Sequence, residues 1–111
     1  MITFTDIPEG MEFVSVEVVE NEYKMIETTY LYQKDAKEIY VCHRSYNSDN
    51  QETQLVEDPK EYKKYKGYRV SIENNNGITT ATATKDNGII DIMGEIGENT
   101  VFDILDKIKS F

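Results

Sequence analysis

The stretch Tyr68–Phe111, YRVSIENNNGITTATATKDNGIIDIMGEIGENTVFDILDKIKSF, decides the fold. Tyr68, Val70 and Ile72 repeat every second residue, the period of a strand with one buried face. Asn74-Asn75-Asn76-Gly77 tolerates positive φ and predicts a reversal into the Thr/Ala-rich run Ile78–Thr84. Lys85-Asp86-Asn87-Gly88 predicts a second reversal into the apolar run Ile89–Ile96. After Gly97, Val101, Ile104, Leu105, Ile108 and Phe111 recur at helical spacing, with Asp103, Asp106, Lys107 and Ser110 on the other side. Asn99 or Thr100 is the expected cap. Two hairpins and a one-faced helix therefore form the nucleus of an α+β domain.

Working back towards the start, the strand signals continue. Ile7-Pro8-Glu9-Gly10 reads as a lead-in and turn. Met11–Val19 has Val14, Val16 and Val18 on one face and Phe13 and Val19 on the other, which predicts a strand covered on both sides for part of its length. Asn21-Glu22 is a turn signal, and Met25–Tyr32 is β-branched and aromatic, with Ile26, Thr28, Tyr30 and Tyr32 sharing a face. The polar run Gln33–Lys37 predicts a hairpin loop. In the next strand, Glu38–Tyr46, Ile39, Val41, His43 and Ser45 alternate with Tyr40, Cys42, Arg44 and Tyr46.

Residues 47–57 show little periodicity and read as a surface loop. Asp58 as cap, Pro59 in the first turn and Glu61 three residues after the cap then predict a short helix ending at Gly67. The expected architecture is a single domain, residues 1–111. It has an antiparallel sheet of about six strands, a C-terminal helix packed on one face and a short helix in the central loop.

Composition limits the function. Of the 111 residues 21 are acidic and 12 basic, a net charge of −9 that works against nucleic acid and anionic lipid as partners. Neither a signal-peptide core nor a stretch long enough to span a bilayer is present, so this segment is not expected to insert into a membrane. The single cysteine, Cys42, excludes an internal disulfide; it fits a reducing cytoplasm and also a Gram-positive exterior.

The candidate chemistry is sparse. Cys42 and His43 are sequence neighbours, but strand alternation sends them to opposite faces, and there is no second histidine or cysteine to complete a metal shell. Carboxylate pairs such as Asp103 with Asp106, or Asp86 near Asp91, read as solvated surface. The glycines match no phosphate-binding fingerprint. Lys60, Lys63, Lys64, Lys66 and Arg69, interleaved with Tyr62, Tyr65 and Tyr68, form the only basic cluster, and the tyrosines are expected to fasten it to the sheet. No catalytic residue, metal site or cofactor is expected. Tyr30, Tyr32, Tyr40 and Tyr46 are the candidate binding residues: gathered on the sheet face opposite the helix, they would line an amphipathic surface for a protein, peptide or envelope ligand.

Ile7-Pro8-Glu9-Gly10-Met11-Glu12-Phe13-Val14-Ser15, the pair Tyr30-Leu31-Tyr32, and Lys85-Asp86-Asn87-Gly88 followed by a strand, Gly94 and a final amphipathic helix together resemble the family catalogued as domain of unknown function 4367. The resemblance spans nearly the whole chain. It implies an extracytoplasmic C-terminal domain of a membrane-anchored Gram-positive protein, often beside anti-sigma-factor-like regions, and it carries no catalytic residues. A non-enzymatic sensory or binding domain outside the cell is the function it implies. The alternative, drawn from the charge, is an intracellular acidic inhibitor or immunity-type protein covering a basic partner, with a cytoplasmic address if the chain is full length.

Overall fold

The structure, a computed structural model, describes residues 3–4, 10–20, 25–46, 62–85 and 88–110. In chain order the elements are β1 (Thr3–Phe4), β2 (Glu12–Glu20), β3 (Met25–Lys34), β4 (Lys37–Tyr46), β5 (Lys63–Tyr65), β6 (Tyr68–Asn75), β7 (Ile78–Lys85), β8 (Gly88–Gly94), α1 (Glu98–Lys107) and β9 (Ile108–Ser110). Seven strands make one antiparallel sheet in the order β2-β3-β4-β8-β7-β6-β5, and β1 pairs with β9 in a separate ribbon. The sheet is thus two meanders, β2 to β4 and β5 to β8, joined where β4 pairs with β8.

Tight turns set the register. Asp35-Ala36, Lys66-Gly67 and Asn76-Gly77 are two-residue connections with positive φ at both positions, the conformation that matches the twist of a hairpin. Lys85 pairs directly with Gly88, so the chain also reverses between β7 and β8. The expected turn at Asn21-Glu22 and the loop 47–57 lie outside the described residues.

Pairing across the ladders assigns the two sheet faces, since directly opposed residues share a side. One face carries Thr28, Tyr30 and Tyr32 of β3, Ile39, Val41 and His43 of β4, Ile90 and Ile92 of β8, Ala81 and Ala83 of β7 and Val70 of β6, all buried. Helix α1 lies on this face and adds Val101, Ile104 and Leu105 to the same core. Burial of side chains this size contributes roughly 1.5–3 kcal/mol each. The helix is fixed to the far edge by polar contacts: Lys63 pairs with Glu98, and Asp106 accepts from Lys66 at 2.7 Å and from the Tyr65 hydroxyl at 2.8 Å. The Tyr65 ring also meets Phe102, with centroids 4.5 Å apart.

Three expectations are corrected. The short helix in the central region is not formed where the chain is described: Lys63–Tyr65 is a strand, and Gly67 belongs to a hairpin turn instead of a helix end. Residues 58–61 lie outside the described residues. The terminal helix starts earlier than the predicted cap; its N-cap is Gly97, with the Thr100 N–H donating to the Gly97 carbonyl at 3.1 Å, so Asn99 and Thr100 lie within the first turn. Finally, β2 is not covered on both sides: among the described residues it is the outermost strand of the sheet and is exposed along its whole length.

Candidate functional site

The four candidate tyrosines do not share a face. A two-residue turn at Asp35-Ala36 pairs even-numbered residues of β3 with odd-numbered residues of β4, so Tyr30 opposes Val41 and Tyr32 opposes Ile39. Tyr30 and Tyr32 therefore point under the helix layer, where their rings stack with centroids 6.4 Å apart. Burial pushes the Tyr32 hydroxyl up to about 12, with neighbouring Tyr30 adding to the shift, and raises Tyr30 as well. Tyr40 stands on the opposite face beside Met93, its hydroxyl donating to Glu38 Oε2 at 2.5 Å. Tyr46 occupies the end of β4, in register with Met25.

The remaining candidates are spread apart in the same way. His43 is buried on the helix face between Thr28 and Ile90, and desolvation lowers its pKa to about 4. Cys42 is on the other face, opposite Thr29 and Asp91; desolvation pushes its thiol up, against a smaller downward pull from a hydrogen bond with Thr29. The two side chains are separated by the sheet itself. Asp91 is held by Arg44 at 2.6 Å and by the Thr82 hydroxyl at 3.1 Å, a cross-strand link that occupies both carboxylate oxygens. Among the described residues no three histidine, cysteine or acidic side chains are grouped to hold a metal ion.

The basic cluster is also engaged internally. Lys63 and Lys66 bind helix carboxylates, Arg69 lies 5.3 Å from the Tyr62 ring centre, and Lys66 lies 5.4 Å from that of Tyr65. Lys66 holds the Asp106 carboxyl below the usual range, with the Tyr65 hydroxyl assisting. Here Tyr65, Lys63 and Lys66 link the β5–β6 hairpin to the terminal helix, in place of a short helix fastened to the sheet. Lys60 lies outside the described residues.

The strand predicted over Met11–Val19 is present as β2; the feature that sequence reading missed is its exposed position at the sheet edge. Phe13, Val14, Val16, Val18 and Val19 are each about half exposed, between 47% and 52%. A register shift between Phe13 and Ser15 marks a bulge at Val14, which brings Phe13 onto the same face as Val16 and Val18. These three oppose Tyr32, Tyr30 and Thr28, and Phe13 makes an edge-on contact with Tyr32 at 5.8 Å. Val19, with Glu12, Ser15 and Glu17, faces the other way. Apolar side chains on both faces of one strand are also the pattern of a buried central strand, which is why the sequence alone pointed to coverage.

The two sheet edges differ in kind. Strand β5 is three residues long and carries Lys63 and Lys64, the short, lysine-bearing form that discourages pairing with another chain. Strand β2 is nine residues long, contains no lysine and carries Glu12, Glu17 and Glu20. If two copies paired antiparallel about Val16, Glu12 of each would face Glu20 of the other, a like-charge arrangement that opposes self-pairing. In that register the edge repels a second copy of itself, and among the described residues no further strand pairs with its outer side.

No family model matches the chain, and no curated protein sequence matches it. Among the described residues no helix is long and apolar enough to cross a membrane.

Proposed function

We propose that the chain is a non-enzymatic binding domain that receives an extended, basic polypeptide on the outer edge of β2, which pairs with no further strand among the described residues. The observation that carries this reading is the contrast between the guarded edge β5 and the long, half-exposed, apolar and acidic edge β2. Adding a strand to a sheet edge draws affinity from main-chain hydrogen bonds and selectivity from alternate side chains. Here Phe13, Val16 and Val18 supply apolar contact on one side, while Glu12 and Glu17 meet lysine or arginine on the other. The net charge of −9 attracts such a partner before contact.

The resemblance noted above supports an extracytoplasmic setting, as a sensory or binding domain of a membrane-anchored protein. An acidic inhibitor covering a basic protein would use the same edge and the same charge. Calorimetry with a nine-residue peptide alternating lysine and valine, and with its glutamate–valine counterpart, tests the shared claim. The lysine peptide is expected to bind, more weakly at higher salt, and to lose affinity in the Val16→Ser/Val18→Ser variant. Equal binding of both peptides, or no effect of the double substitution in a variant with native circular dichroism, would refute the reading.

A further inference from the structure

On the sheet face away from the helix, a concave site of about 470 Å³ opens between the β3–β4 turn, the start of β7 and the end of β8. Its apolar walls are Ala36, Tyr40, Ile78 and Met93. Tyr40 and Met93 are directly opposed on adjacent strands and stay 36% and 44% exposed, on a face where β7 otherwise presents Thr80, Thr82 and Thr84. Such a volume, mostly apolar with a few polar groups at the rim, is that of a small-molecule site.

The polar rim determines which ligand fits. Lys37 and Glu95 are paired at 3.3 Å and neutralise one another. Glu38 accepts the Tyr40 hydroxyl, a neutral donor, and no ion pair compensates its charge among the described residues. One net negative charge therefore stands beside an aromatic ring that its own hydrogen bond orients. A ring face favours a cation and the Met93 thioether packs against an apolar body, whereas an anion meets repulsion from Glu38 and from the whole acidic molecule.

The geometry points to a binding site for a small organic cation, an ammonium group carried on an aromatic or short alkyl body, with its apolar part between Tyr40, Met93 and Ile78 and its charge at Glu38. This site is distinct from the β2 edge, on other strands and with other residues, and does not rest on the reading of that edge.

Titration with phenethylammonium, followed through the Met93 methyl resonance, tests it against two analogues of the same shape, the neutral 2-phenylethanol and the anion 3-phenylpropionate. The cation is expected to bind about tenfold more tightly than the alcohol, within the range of a ring–cation contact assisted by a carboxylate. The anion is expected not to bind. Glu38→Gln should reduce the cation to about the level of the alcohol, while Met93→Ser, followed through the Tyr40 ring resonances, should weaken both. Equal affinity for cation and alcohol, insensitivity to Glu38→Gln, or ammonium-induced shifts confined to β2 would each overturn the proposal, as would the absence of binding at millimolar phenethylammonium.

Discussion

Between pH 6.5 and 4, acid should destabilise this protein chiefly through one buried side chain. His43 is 2% exposed, set between Thr28 and Ile90, and its pKa is lowered to about 4 from the ordinary 6.5. A depressed folded-state value means the neutral imidazole is the form that folds. The stability tied to it is fully present above pH 6.5, falls as pH drops from 6.5 to 4, and declines no further below that. At 1.36 kcal/mol for each pH unit between the two values, the loss by pH 4 is about 3 kcal/mol, a large share of a small domain's stability. Urea unfolding of the wild type and of His43→Leu at pH 7.5 and pH 4 measures it: the drop between the two pH values should be smaller in the variant by about 3 kcal/mol. Because the chain has one histidine, its imidazole resonance also reports the titration directly. A midpoint near 6.5, or the same acid sensitivity in both proteins, would refute the reasoning.

Other perturbations follow from the packing. Leu105→Ala should cost about 2–5 kcal/mol in chemical denaturation, because the side chain is 2% exposed beneath the helix and the space it leaves cannot fully close. Gly94→Ala should lower stability by about 1–3 kcal/mol, since a Cβ there would lie 3.0 Å from the Glu38 carbonyl and 3.3 Å from Ile39. Replacing Glu12, Glu17 and Glu20 together with glutamine should convert the protein towards a self-associated form in sedimentation. It removes the repulsion that opposes β2 pairing with a second β2, about 0.2–1 kcal/mol for each like-charged pair.

How much of this was legible in the sequence depends on whether local rules or register governed each element. The last three long strands and the helix follow from alternation, from Asn76-Gly77 and from the spacing of Val101, Ile104 and Leu105, all local signals that the tertiary structure reinforces. Strand β5 was hidden because Asp58-Pro59 reads as a helix start in the sequence and Tyr62, Tyr65 and Tyr68 recur every third residue. The actual cause of that spacing is a hairpin in which Tyr65 and Tyr68 oppose each other across Lys66-Gly67. The faces of Tyr30 and Tyr32 were legible only relative to their own strand. Their relation to Tyr40 depends on turn length, and a two-residue turn reverses the parity that a tyrosine-lined surface would need. The exposure of β2 is a property of sheet order, set by which strand ends up outermost, and no residue pattern within Glu12–Glu20 specifies that.

The most direct test of the edge-docking account is amide hydrogen exchange across residues 12–20, with and without the lysine–valine peptide. The account predicts that every second amide of β2, those directed away from β3, becomes protected when the peptide is present, while the amides of β5 are unaffected. Unchanged exchange along β2, with protection appearing instead around Ser71, Thr80 and Thr82 on the open sheet face, would contradict it.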